Sequence, residues 1–197
     1  MGRATKFDRD EAIIWVMNEI WRSGFTALSV KAVSEKLGIT RSSFYHAFES
    51  REALFLEAMA RYFQISPLSK LSTFAESNSA LTLLTQVFKE TCKQRTDDKK
   101  HRGCLAVNSV SELVGVHDSL SSFMANMVNE NIHGFEALLT YSIHQGELAK
   151  NTDTRHLALA LQNTLIGLNT MSKVITNEQE LWNAIKVILI ALNVYRE

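Results

Sequence analysis

Proline is almost missing from this chain: Pro67 is the single one in 197 residues. With only one ring-locked break, long helices can run without interruption. Eight glycines add few other breaks. No stretch sustains a period-two alternation with β-branched residues, which excludes an extensive sheet. Cysteine is equally scarce. Cys92 and Cys104 are the only two, which excludes a disulfide scaffold and suggests reduced thiols rather than a bridge. Neither charge sign prevails, with 21 Lys+Arg against 21 Asp+Glu. Residues 1–63 carry a balance of +1 and the remainder −1. This argues weakly against strong non-specific attraction to nucleic acid, so any DNA contact should come from charge arranged locally. Long apolar runs are lacking too. The cleanest, Val187 to Leu192, falls far short of the ~20 residues that span a bilayer. The opening MGRATKFDRDEA has no apolar stretch of a secretory signal. The protein is expected to be soluble and cytoplasmic, with no membrane partner.

What remains is 46% hydrophobic and 21% charged, enough apolar material for a buried core and too little charge for a disordered chain. The spacing predicts an all-α fold. A first helix starts near Asp8, with Ile13, Val16, Met17 and Ile20 on one stripe and Gly24 as its stop. Ser29 caps a second helix that buries Val30, Val33 and Leu37 and ends at Gly38. Thr40 caps a third, whose Phe44 and Phe48 point inward. Ser50 caps a fourth, with Leu54, Phe55, Ala58, Met59 and Tyr62 as its stripe. Pro67 then breaks the pattern. This predicts a three-helix head joined by a connector helix to a helical body, with domains at residues 1–66 and 67–197.

In the body, helices are expected near 80–96, 104–114, 118–145, 154–175 and 178–195, with Arg95 to Arg102 as a solvated loop. The last two are apolar around much of their circumference: Leu157, Leu161, Leu165 and Leu168 on one, Trp182, Ile185, Ile188, Leu189 and Leu192 on the other. Such a belt is either central to its own domain or part of a subunit interface, here a homodimer built through the last two helices.

The segment SVKAVSEKLGITRSSFYHAF, Ser29 to Phe48, is the most informative. Two short helical patterns meet at a glycine turn, and the second has polar residues on one face and aromatics on the other. That suits a helix-turn-helix whose second helix enters the major groove of double-stranded DNA. Its solvent face carries Arg41, Ser42, Ser43, Tyr45 and His46. Arginine can give guanine O6 and N7 two parallel donors, serines can bond base edges, and Tyr45 and His46 can bond phosphate oxygens. Arg51 at the start of the fourth helix could hold a phosphate with the helix amides, and Lys31 could reach the same groove edge. Each of these residues taken singly could be an ordinary solvated polar group. The combination of spacing, turn and face favours recognition.

Residues Phe7 to Phe63 resemble the DNA-binding domain of TetR-family transcriptional regulators. The resemblance is carried by Gly24-Phe25, Leu28-Ser29-Val30, the Leu37-Gly38-Ile39-Thr40 turn, Phe44-Tyr45, Phe48 and Ser50-Arg51-Glu52-Ala53-Leu54. It implies an all-α homodimer with a ligand-binding body, with Ser29 and Thr40 in the recognition motif, Arg41, Ser42 and Ser43 facing bases, and Tyr45 and Arg51 facing phosphates. Three positions depart from the usual pattern: Ser34 for a small alanine, Ala47 for a polar or aromatic residue, and Arg51 for a lysine.

In the body, Arg102-Gly103-Cys104-Leu105-Ala106-Val107-Asn108 resembles the Gly-Cys-Leu segment of a TetR subgroup that includes cysteine-based electrophile sensors. A thiol at a helix start beside cationic side chains such as Arg102 and His101 gains thiolate character and can be alkylated or oxidised. The alternative is that Cys104 is a small buried packing residue; Cys92 has only that reading. Asn108 and Glu112 share the helix face of Cys104, and Phe123, Met127, Asn131 and Phe135 fall at helical spacing on the next helix. A greasy cavity with a few polar groups fits a small-molecule effector, although each of these residues could instead be core. The scattered histidines do not suggest a metal site, and no cofactor or catalytic residue is expected.

Three functions follow. The first is a ligand-responsive regulator, a repressor in the first instance, that binds a palindromic operator and is released by a small molecule or electrophile. The second is an enzyme with Cys104 as nucleophile, which no Cys–His–acid pattern supports. The third is a helical interaction protein that has lost DNA binding.

Overall fold

The computed structural model describes residues 7–76 and 78–197. The expected lack of a signal sequence falls partly on residues 1–6, outside that range. Among the described residues every regular element is helical, which is the all-α architecture. The chain forms two compact units. One comprises the chain up to Ile65 together with Asn108–Met124, and the other comprises Ser66–Val107 with Ala125–Glu197.

In the first unit, α1 (Arg9–Ser23) opens on Asp8, whose carboxylate accepts the Glu11 N–H, and closes at Gly24, where φ is +83°. The Ser29 hydroxyl accepts the Ala32 N–H to start α2 (Val30–Leu37), which ends at left-handed Gly38. Thr40 likewise starts α3 (Arg41–Phe48) by accepting the Ser43 N–H. The Ser50 hydroxyl accepts the Ala53 N–H at 2.9 Å ahead of α4 (Arg51–Ile65). Each such cap satisfies an amide the helix leaves open, worth about 1 kcal/mol. Helix α1 packs along α4, while α3 packs on α2 and α4. Val16, Phe25, Val33, Phe44, Leu54, Phe55, Ala58 and Met59 are all fully buried. Ala12 is buried at the start of the α1 stripe, whereas Ile13 is only half-buried.

Residues 108–124 were expected in the body by sequence order, and the structure clusters them with the head. Their buried residues are Ser109, Leu113, Leu120 and Met124.

The second unit opens with a 3₁₀ stretch, Pro67–Glu76. Its helices are α5 (Ala80–Asp97), α8 (Thr154–Met171) and α9 (Glu178–Ala191), with parts of α6 (Leu105–Leu113) and α7 (Asp118–His144). Its core includes Leu81, Leu84, Phe88, Phe135, Leu138, Leu139, Leu161, Leu165 and Leu189. The expected solvated loop from Arg95 to Arg102 is corrected in part: residues 98–104 are irregular and Lys99 and Lys100 are exposed, but its two ends are held. Arg95 lies in α5 and is 2% exposed. Its Nε donates to Asn169 Oδ1 at 2.6 Å and its Nη1 to Gln94 Oε1 at 2.8 Å. Arg102 is held by Asp98, with Nε to Oδ2 at 3.1 Å. A charge run reads as solvated only until its hydrogen-bond partners are known.

The broad apolar belt of the last two helices is divided. Leu161, Leu165, Leu168, Trp182, Ile185 and Leu189 face the core, while Met171, Val187, Ile188 and Ile190 remain exposed, together with Val174 just beyond α8. A groove of about 540 Å³ runs between α8 and α9, lined among others by Gly167, Met171, Ala184 and Ile188. Among the described residues no helix is long and apolar enough to cross a membrane.

Candidate nucleic-acid interface

Helix α3 presents two unlike faces. Phe44 and Phe48 are 0% and 1% exposed and fix the helix to the head. Arg41, Ser42, Ser43, Tyr45 and His46 are all exposed. The Tyr45 ring stands edge-on to Phe44 at 5.3 Å and is 52% exposed, so its hydroxyl end points away from the core. The aromatic anchor below and the polar surface above follow from the helical period: Phe44 and Phe48 are one turn apart.

The other expected DNA contacts are placed differently. The Ser29 and Thr40 hydroxyls are exposed but engaged as caps, and Thr40 Oγ1 also lies 2.9 Å from Ser43 Oγ. Lys31 is exposed, with Glu35 one turn on at 3.8 Å. Arg51 is turned partly inward: Nη1 donates to the Leu28 carbonyl at 3.1 Å and the guanidinium carbon lies 4.3 Å over the Phe25 ring. Its side chain is 29% exposed. Ala47, where a polar or aromatic residue is usual, lends its carbonyl to Arg9 Nη1. Ser34, standing for alanine, is buried and its hydroxyl has no hydrogen-bond partner.

The seven sensing candidates divide between the units. Asn108, Glu112 and Phe123 belong to the first, and Cys104, Met127, Asn131 and Phe135 to the second. Phe135 is core, stacked with Phe88 at 6.3 Å. Phe123, Met127, Asn131 and Asn108 are half-buried. None of the seven lines the α8–α9 groove. Glu112 has a role the sequence did not disclose. Its Oε2 accepts the Phe25 N–H at 3.0 Å and its Oε1 the Thr26 N–H at 2.8 Å.

Neither cysteine forms a disulfide, and both are buried. Burial, with the charge of Glu178 adding to it, pushes the Cys92 thiol up to about 12. Cys104 is 7% exposed and directly precedes α6. Next to it, Gly103 adopts φ +70° against the Lys173 side chain and the Asn169 carbonyl, where a Cβ would come within 2.8 Å and 2.7 Å of them. Burial opposes it, but the hydrogen bonds and charge of Arg102 hold the Asp98 carboxyl below its ordinary range. The Arg102 charge is therefore largely committed to Asp98. Among the described residues no group of three His, Cys, Asp or Glu side chains is arranged to hold a metal.

Two family models match the chain. "Bacterial regulatory proteins, tetR family" covers residues 17–58, and "Tetracyclin repressor-like, C-terminal domain" covers residues 80–188, more than half of the chain. The chain belongs to the TetR family. It is a DNA-binding transcriptional regulator, and α2 and α3 both lie within the residues the first model covers. Curated TetR-type relatives span nearly the whole chain. The transcriptional repressor NemR of Escherichia coli is 23% identical over 94% of both chains. The repressor ComR of the same species is 23% identical over 87% of this chain and 82% of its own. Among solved structures, a cysteine mutant of the TetR-family regulator CifR in complex with 26-base-pair operator DNA matches with TM-score 0.86. It is 28% identical and covers 96% of this chain and 99% of its own. The reduced form of E. coli NemR matches in fold with TM-score 0.70 at 18% identity, over 92% and 95% of the two chains.

Proposed function

We propose that this TetR-family protein is a ligand-responsive repressor, cytoplasmic and without enzymatic activity, that binds a palindromic operator as a homodimer. Residues 1–66 form its DNA-binding domain and residues 67–197, apart from the 108–124 segment that clusters with the head, its effector and dimerisation domain. The observation that carries this reading is the split character of α3, with Phe44 and Phe48 buried and Arg41, Ser42, Tyr45 and His46 on its open face. Arg41, Ser42 and Ser43 read bases. Tyr45, His46, Lys31 and the outward part of Arg51 hold phosphates, and the capped ends at Ser29 and Thr40 set the two helices on the backbone. CifR, the structural relative described above, is bound to operator DNA, which supports the same use here.

The exposed residues Met171, Val187, Ile188 and Ile190 support pairing through α8 and α9, because a monomer seldom leaves such a patch uncovered. For release, Cys104 supports an electrophile-responsive site within the second unit, with Met127 and Asn131 as effector contacts. An effector acts only by binding the two states of the dimer with different affinity.

Selection of bound duplexes from a random library, with native protein and with protein treated with N-ethylmaleimide, tests the reading. Enrichment of one palindrome by the native protein, lost on alkylation and kept in Cys104→Ser, is the expected result. Sequence-independent binding, or a Val187→Glu/Ile190→Glu chain with the same sedimentation as the parent, contradicts it.

A further inference from the structure

We propose that Glu112 is a positioning residue for operator recognition: its carboxylate holds the turn between α1 and α2 and so sets the pose of the reading helix. The inference rests on the DNA-binding function above and adds a residue that lies outside the helix-turn-helix sequence.

The turn Gly24–Phe25–Thr26 has two successive backbone N–H groups that no helix uses. Glu112 receives both, one on each oxygen, at 3.0 Å and 2.8 Å. A charged acceptor makes these stronger than ordinary amide bonds. The approach is close enough that a side chain at residue 24 would displace the carboxylate. A Cβ there would lie 2.8 Å and 2.9 Å from the two carboxylate oxygens, and its φ of +83° independently favours glycine.

The neighbouring residues tighten the same grip. The Phe25 ring, 0% exposed, meets the edges of Phe55 at 5.1 Å and His117 at 5.2 Å. The Arg51 guanidinium covers its face and bonds the Leu28 carbonyl. His117 Nδ1 accepts the Leu120 N–H at 3.4 Å, and its Nε2 lies 3.7 Å from Glu52 Oε1. Residues 112–117 thus hold Phe25, Thr26 and Glu52 from about ninety and about sixty positions away in sequence. Helix α2 begins at Val30, two residues past Leu28, and α3 packs on α2. A change of tilt at the turn passes to α3 through that short, hydrogen-bonded path. The head's own core, from Val33, Phe44, Phe48, Leu54 and Phe55, is complete without Glu112. Losing the carboxylate therefore frees the tilt of α2 and α3 within the head more than it empties the core. A dimer reads two half-sites at fixed spacing, so pose is what specific binding demands and non-specific binding does not.

The test uses full-length Glu112→Ala and Glu112→Gln, with the duplex that the parent selects and an unrelated duplex of equal length, well below the unfolding temperature. Amide exchange at Phe25 and Thr26 is followed alongside. Glu112→Ala is expected to weaken the selected duplex at least tenfold and the unrelated duplex less than threefold, and to speed exchange at both amides at least tenfold. Glu112→Gln retains one acceptor oxygen and falls between Ala and the parent on every measure. An unchanged affinity for the selected duplex in folded Glu112→Ala, with only a lower melting temperature, overturns the proposal. So does equal weakening of both duplexes. If the alanine variant does not fold, Glu112→Gln decides by the same criteria, with threefold loss on the selected duplex as its threshold. A parent that selects no duplex refutes the DNA-binding function itself, and parent-like exchange in the variants refutes the grip on the turn; the two failures are distinguishable.

Discussion

Replacing Arg41 by alanine separates base reading from mere charge. Arg41 sits on the first turn of α3 and is exposed, while Phe44 and Phe48 hold that helix from below. Truncation empties no core, so unfolding free energy should move by less than ~0.5 kcal/mol. A guanidinium paired with guanine O6 and N7 is worth about 1–3 kcal/mol of discrimination. A homodimer presents the residue twice, which makes the loss about 2–6 kcal/mol, or roughly 30-fold to 10⁴-fold in Kd. Tyr45→Phe is the matched contrast. Its ring remains against Phe44 and only the outward hydroxyl goes, which should weaken every duplex alike, by about 0.5–1.5 kcal/mol per head. Fluorescence anisotropy with the selected duplex, a duplex altered at one base pair per half-site and an unrelated duplex, at several salt concentrations, distinguishes the two. In Arg41→Ala the preference at one base pair collapses and the salt slope holds. Weakening that is uniform across the three duplexes, with a slope shallower by about one per head, would mean that Arg41 holds phosphate and that base reading lies elsewhere on the helix.

Three further outcomes follow from the burial and charge of single residues. Ser34→Ala removes a buried hydroxyl that lacks a hydrogen-bond partner and should raise stability by about 1 kcal/mol in urea unfolding; a loss of that size would mean the hydroxyl is satisfied. Asp98→Asn should cost about 1–2 kcal/mol at neutral pH. Because the folded carboxyl is held below its ordinary range, that contribution is present above the unfolded pKa and disappears as pH falls through the folded one. Variant and parent should therefore converge in acid, and a gap that persists there argues against the pairing with Arg102. Under native conditions N-ethylmaleimide should modify Cys104 well before Cys92, measured by peptide mass. With its pKa at about 12, Cys92 at pH 8 is ionised in only about one molecule in 10⁴; equal labelling would mean that the α5 core opens readily.

The head was legible in the sequence because its signals are local. Asp8, Ser29, Thr40 and Ser50 each cap a helix three residues or fewer away, and all four do so in the structure. Gly24 and Gly38 mark helix ends by backbone geometry alone. The inward pair Phe44 and Phe48 is one helical turn, which periodicity reports directly. The body was less legible. The charged segment Arg95–Arg102 looked solvated because nothing nearby in sequence shows that Asn169, seventy-four residues on, bonds Arg95 inside the core. The α-helices were placed closely on the chain, since apolar stripes and caps such as Asp153 and Asn177 carry them, while the 3₁₀ stretch Pro67–Glu76 was not anticipated. Polar partners at long range leave no such trace.

Two glutamates make that limit concrete. Glu147 accepts the N–H groups of Ala80 and Leu81, both at 3.0 Å, and the Ser79 hydroxyl at 2.8 Å, holding the start of α5 within the second unit. Glu112 does the same for Phe25 and Thr26 within the first. In each, one carboxylate serves two successive amides from more than sixty residues away, and neither would be singled out by composition or periodicity. The sequence pointed to Glu112 as an effector contact because it shares a helix face with Cys104. Its observed partners are backbone donors of the DNA-binding head, one on each carboxylate oxygen. The two glutamates differ in what they hold. The start of α5 is a helix end inside the core unit, and loosening it costs stability. The α1–α2 turn leads within four residues into the helix-turn-helix, and loosening it costs aim. The same chemistry is thus structural at one site and positional at the other, and only the element being gripped decides which.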